Sequence, residues 1–118
     1  MTQTLAILKH RAEFLATAAS GHKCGTKGLM LQLRRHDPPD NTLRFGLTAS
    51  KRVGNAVMRN RAKRRLRALA HSVLPAQAQP GCDYVLIART ETVSRDFAAL
   101  RGDLVYALRK LGALQASS

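Results

Sequence analysis

Residues 43–74 read LRFGLTASKRVGNAVMRNRAKRRLRALAHSVL, and two different periods meet inside them. From 43 to 50 the side chains alternate, with Leu43, Phe45, Leu47 and Ala49 on one face and Arg44, Gly46, Thr48 and Ser50 on the other, which predicts a half-buried strand. Gly54 and Asn55 break that period, since glycine tolerates positive φ and an asparagine side chain satisfies an orphan amide at a helix start. Beyond them Met58, Ala62, Leu66, Leu69 and Val73 recur every three or four residues and lay one narrow apolar stripe along a helix. Pro75 is expected to end it, because proline lacks the amide that the next turn needs.

The flanks extend this strand and helix into a domain. Downstream, 75–81 reads as a solvated loop, and the continuous apolar run 84–88 reads as a strand covered on both faces, hence central in its sheet. Phe97, Leu100, Leu104, Leu108 and Leu111 then mark a closing helix, capped at Thr92 or Ser94, with Asp96 in its first turn, Arg109 and Lys110 in its last and Gly112 as its stop. Residues 115–118 are expected to fray. Upstream, HDPPDN at 36–41 is a turn by composition, Leu29, Met30, Leu31 and Leu33 form a strand-length run, 22–28 offers a further irregular strand, and 10–19 suits a short helix. One sheet with helices packed on it follows.

The chain has 118 residues, which is one domain's worth, and 45% of them are hydrophobic, enough for a core. Twenty Lys and Arg against seven Asp and Glu leave a net charge of +13, so a polyanionic partner is the first expectation. No apolar stretch approaches bilayer length and no export signal opens the chain, so a cytoplasmic location without membrane attachment is expected. Cys24 and Cys82 lack both CxxC pairing and histidines at zinc spacing, and are read as reduced thiols rather than as a disulfide or a metal site. His10, His22, His36 and His71 are scattered, and no paired carboxylates share a predicted face, so no catalytic residue is expected in this chain.

The charge is concentrated where the strand gives way to the helix. Lys51, Arg52, Arg59, Arg61, Lys63, Arg64, Arg65 and Arg67 occur without one acidic residue among them, and none appears between Asp40 and Asp83. A solvated helix face ordinarily mixes signs. Like charges four apart, such as Arg59 with Lys63 and Lys63 with Arg67, cost a helix a few tenths of a kcal/mol per pair unless a partner offsets them. Arginine predominates, which suits forked contact with phosphate, and Asn60 adds a neutral donor and acceptor. The stripe lacks aromatic anchors, which argues against a membrane-surface helix. A nucleic acid remains.

The stretch Leu43-Arg44-Phe45-Gly46-Leu47 through Ser50-Lys51-Arg52-Val53-Gly54-Asn55-Ala56-Val57-Met58-Arg59-Asn60-Arg61-Ala62-Lys63-Arg64 resembles the signature of the protein subunit of bacterial ribonuclease P. The triplet Arg59-Asn60-Arg61 matches that family's RNR motif, and the flanking elements agree in order over roughly residues 8–112. The resemblance implies an α+β fold over residues 1–118: a two-layer sandwich with a mixed four-stranded sheet and about three helices in the order αβββαβα. Its central strands would be parallel neighbours joined by a left-handed crossover, against the usual hand. It implies that Lys51, Arg52, Arg59, Asn60, Arg61, Lys63, Arg64, Arg65 and Arg67 contact a catalytic RNA subunit. It further implies that a cleft beside the first helix, with Phe14 and Arg89, receives the single-stranded 5′ leader of precursor tRNA. The RNA subunit would use Mg²⁺ for hydrolysis, with no metal bound by this chain and no obligate protein partner. Where family members often carry further cleft aromatics this chain has Ala18 and Gln32, so leader affinity is expected to rest more on charge. The alternatives are a general basic RNA-binding protein or chaperone, and a DNA-binding regulator that inserts the basic helix in a major groove. Against the regulator, a strand rather than a short helix precedes the basic run, and no zipper follows it.

Overall fold

The structure, a computed structural model, describes residues 5–115. Its elements are β1 (Leu5–Ile7), α1 (Arg11–Ala19), β2 (His22–Gly25), β3 (Leu29–Arg35), β4 (Leu43–Thr48), α2 (Ala56–Gln77), β5 (Cys82–Ala88) and α3 (Phe97–Lys110). The strands form one mixed sheet in the order β1-β4-β5-β3-β2, with β5 parallel to β4 and antiparallel to β3. The expected α+β class is observed, with five strands instead of four. The additional strand, β1, pairs parallel with β4; three residues are too few to display a period, and Ile7 on it is 44% exposed.

Alternation along the strands sorts the two faces. Leu29, Leu31 and Leu33 of β3 stand level with Ala88, Leu86 and Tyr84 of β5, and Leu43 and Phe45 of β4 with Cys82 and Tyr84. These side chains pack with Leu66, Leu69, Val73 and Leu74 of α2 and Leu100, Leu104 and Leu108 of α3 in one buried core. The opposite face carries Met30, Gln32 and Arg34, then Ile87, Val85 and Asp83, then Thr48, Gly46 and Arg44. Helix α1 lies over one end of it. Phe14 of α1 rests on Gly46, where a methyl group would stand 2.6 Å from the ring Cζ, so only a bare backbone admits the ring this close. Ser20, the α1 C-cap, donates its hydroxyl to the Leu33 carbonyl at 2.6 Å.

Several local expectations need correction. Helix α2 passes through Pro75 and ends at Gln77: the bond that proline forfeits is to the exposed His71, while Val73 and Leu74 are buried and the Ala78 amide still bonds to the Leu74 carbonyl at 3.0 Å. The segment after it is not a solvated loop throughout, since Ala78 is buried and bridges to Leu114. The α3 cap is Asp96, whose carboxylate accepts from the Ala99 amide, whereas Thr92 sits in a 3-10 turn, Thr90–Val93, and Ser94 directly follows it. Leu111 is the C-cap, and Gly112 follows in the left-handed region at φ 71°. The Gln115 amide bonds to the Gln77 carbonyl, while 116–118 lie outside the described residues. Both cysteines are free; Cys24 is half-buried and Cys82 buried, and burial pushes the Cys82 thiol up.

Candidate nucleic-acid interface

Helix α2 starts where the sequence places it: the Asn55 side chain accepts from the Met58 amide at 2.9 Å. Ala62, Leu66, Leu69, Ala70, Val73 and Leu74 then turn inward and fix the helix on the sheet. Met58 does not share in this stripe as expected. It is 42% exposed and folds back on Gly54, whose φ of 144° fits glycine.

The inward stripe leaves the cations outside. Lys51, Arg52, Asn60, Arg61, Arg64 and Arg67 are exposed, while Arg59, Lys63 and Arg65 are half-buried. Three guanidinium groups are already engaged with backbone carbonyls: Arg59 with Gly54 at 2.9 Å, Arg61 with Val93 at 3.0 Å, and Arg65 with Thr92 at 2.5 Å and with Arg95. Among the described residues no cation of this group pairs with a carboxylate. Four of the seven acidic side chains are occupied elsewhere, Asp83 and Glu13 by Arg44, Asp83 also by Arg34, Asp103 by Arg95, and Asp40 by His36, and Asp96 caps α3. The cations on the outer side of α2 thus have no carboxylate partner among the described residues, as a surface for a polyanion requires.

Beside the N-terminal end of α2 the sheet's second face opens into a cleft of about 350 Å³, lined by Met30, Ser50, Arg52, Val53, Ile87 and Arg89 among others. Arg52, from the approach to α2, and Arg89, from the end of β5, thus meet in one cleft. The exposed Arg89 donates to the Thr26 carbonyl at 2.8 Å. Phe14 shares this sheet face over Gly46.

A charged network holding this face is not visible as a motif. Asp83 is fully buried and stands directly opposite Arg34 on β3 and Arg44 on β4. Arg44 reaches it with Nε at 2.7 Å and Nη2 at 2.8 Å, Arg34 at 2.9 Å, and His36 Nε2 at 2.6 Å. Arg44 also grips Glu13 of α1, so the network ties α1 to the sheet. The available signal was the lone acid just before an apolar run, flanked in space by two alternating arginines.

This network predicts acid sensitivity. Burial alone would raise the Asp83 carboxyl, but hydrogen bonds from Arg44, His36 and Arg34 outweigh it and hold it below the ordinary range. Hydrogen bonding by His36 holds Asp40 down at about 2, and the His10 amide lowers Glu13. Each group titrates lower folded than unfolded, so its contribution is complete above its unfolded value, 4.5 for Glu13 and 3.8 for both aspartates, and is lost as pH falls through the folded values. The melting temperature, followed by circular dichroism, is expected to fall steadily between pH 4.5 and about 2. A rise on acidification in that window would contradict this assignment.

Among the described residues no three His, Cys, Asp or Glu side chains gather where they would hold a metal ion, and no helix is long and apolar enough to cross a membrane.

The family model described as Ribonuclease P matches residues 3–112. The ribonuclease P protein component of Paramagnetospirillum magneticum is 48% identical over 98% of this chain and 89% of its own length, and that of Ruegeria pomeroyi 50% identical over 92% and 88%. Among solved structures, the Staphylococcus aureus RNase P protein aligns with a TM-score of 0.75 over 92% of this chain and 97% of that one at 22% identity. The RNase P protein from Thermotoga maritima gives 0.73 over 87% and 94% at 24% identity. The structural likeness speaks for the fold.

Proposed function

This chain belongs to the ribonuclease P protein family, and from that premise we propose how its surfaces divide the work of a tRNA-processing endoribonuclease whose chemistry is performed by RNA. The outer side of α2 with its approach (Lys51, Arg52, Arg59, Asn60, Lys63, Arg64 and Arg67) lies against the catalytic RNA subunit. The cleft beside it, with Arg52 and Arg89, together with the ring of Phe14 on the same sheet face, receives the single-stranded 5′ leader of precursor tRNA. Mg²⁺ belongs to the RNA subunit's chemistry, and this chain, acting as one domain in the cytoplasm, contributes phosphate neutralisation and substrate grip. The observation that supports this reading best is the cationic run on α2, without a carboxylate partner among the described residues, next to a cleft that gathers two further arginines.

Reconstitution tests it. The purified chain, added to a bacterial catalytic RNA at low Mg²⁺, is expected to stimulate cleavage of leader-bearing tRNA; absence of stimulation rejects the reading. In the same assay Phe14→Ala removes a stacking platform worth about 1–3 kcal/mol per base, so KM for leader-bearing tRNA should rise at least about fivefold. Binding of leaderless tRNA should not change. An equal loss for both substrates would place Phe14 outside leader recognition.

A further inference from the structure

The basic residues of α2 look equivalent in the sequence, yet two of them reach across to the backbone of the stretch that follows β5. Arg65 is half-buried, and its fork donates to the carbonyls of Thr92 and Arg95, while Arg61 Nε donates to that of Val93. Three carbonyls in the stretch 92–95 are thus gathered onto one side of α2. This stretch is the exit from β5, immediately beyond Arg89. Thr92 is fully buried, its hydroxyl donates to the Gly28 carbonyl at 2.5 Å and accepts from the Arg89 amide at 2.8 Å, and its own amide donates to the Arg89 carbonyl at 3.0 Å. Arg89 in turn reaches the Thr26 carbonyl in the turn between β2 and β3. A continuous chain of hydrogen bonds therefore runs from the α2 guanidinium groups, through the 3-10 turn, to the backbone of the arginine that lines the cleft.

We propose that Arg65, assisted by Arg61, is a positioning residue: its guanidinium fork anchors the turn Thr90–Val93 to α2 and so holds Arg89 in the cleft. A fork fits the task because two carbonyls at different angles need two donors in a fixed plane, which a lysine ammonium does not supply. It also couples the two surfaces of the molecule physically, since a shift of α2 against the sheet would pull on the segment that presents Arg89. The inference rests on the leader-cleft reading above.

The test uses the reconstituted holoenzyme with Arg65→Lys, Arg65→Gln and Arg89→Ala. Arg65→Lys keeps the charge and loses the fork; it should weaken binding of leader-bearing tRNA about fivefold, the size expected when one charge-assisted contact is displaced rather than removed. It should leave leaderless tRNA and RNA-subunit affinity within about twofold, and in the free protein it should speed hydrogen exchange at the Arg89 and Thr92 amides. Arg65→Gln should leave the salt dependence of RNA-subunit binding as it is; a slope smaller by about 0.7–0.9 means that Arg65 meets a phosphate, and overturns the proposal. Unchanged exchange at both amides overturns it as well, as does an unchanged leader preference in Arg65→Lys when Arg89→Ala loses it. If Arg89→Ala shows no leader-dependent defect, the cleft reading fails, and the anchoring is then decided by the exchange measurement alone. Should Arg65→Lys not fold, Arg61→Lys, which disturbs one carbonyl contact rather than two, takes its place in the same measurements.

Discussion

Replacing Lys63, Arg64 and Arg67 together by alanine is expected to weaken binding to the catalytic RNA about a thousandfold near physiological salt, with no loss of thermal stability. The size follows from three charge-assisted contacts at about 1.5 kcal/mol each, or about 4.5 kcal/mol in all. The neutral effect on folding follows from the structure. Arg64 and Arg67 are exposed, Lys63 is half-buried at the edge of the buried stripe, and among the described residues none of the three forms an ion pair. Removing them takes away like-charge repulsion four residues apart and installs the best helix former, so the melting temperature should hold or rise slightly. Salt supplies the independent check. Each phosphate contact contributes about 0.7–0.9 to the slope of log K against log salt, so the triple variant's slope should be smaller by about 2–3. A variant that binds as well as the parent, or one whose slope is unchanged, would remove the electrostatic account of this surface.

The reason such a surface can be recognised in a sequence, while its division of labour cannot, lies in the range of the interactions. A uniform sign over residues 51–67, the Asn55 cap and the alternation along β4 are local patterns, and each corresponds to an element in the structure. The central place of β5 was legible for a similar reason, since a continuous apolar run leaves no face for solvent. The strand β1 was not, because it is short and lies on the edge of the sheet, and its pairing with β4 is a long-range event. Nor does the sequence distinguish Arg65 from Arg64: which guanidinium finds a carbonyl depends on where the chain returns after β5, and that is decided by the sheet. Pro75 and the α3 cap failed as boundary signals for a related reason, as packing of Val73 and Leu74 outweighed one lost bond and Asp96 lay nearer the first buried turn than Thr92.

Asp83→Asn should be strongly destabilising, costing about 3 kcal/mol, or roughly 12 °C in melting temperature for a domain of this size. The carboxylate is fully buried and is the shared acceptor for Arg34, Arg44 and His36; the amide keeps the shape but leaves those donors facing each other without an anion. The lower end of the range for broken buried pairs applies, because the arginine side chains remain 31% and 29% exposed and water relieves part of the repulsion. If the loss is electrostatic, adding Arg34→Met to Asp83→Asn should recover part of it, since one of the stranded charges is removed; a double variant that is simply additive would point to packing instead. The substitution should also reach the cleft. Arg44 links Asp83 to Glu13, one residue before Phe14 on α1, so loosening the network frees the helix that lays the ring on Gly46. Assayed below its melting range, Asp83→Asn should therefore show a raised KM for leader-bearing tRNA with RNA-subunit affinity retained. A buried charge in the sheet would then be acting on substrate through the position of one helix, with no contact to RNA of its own.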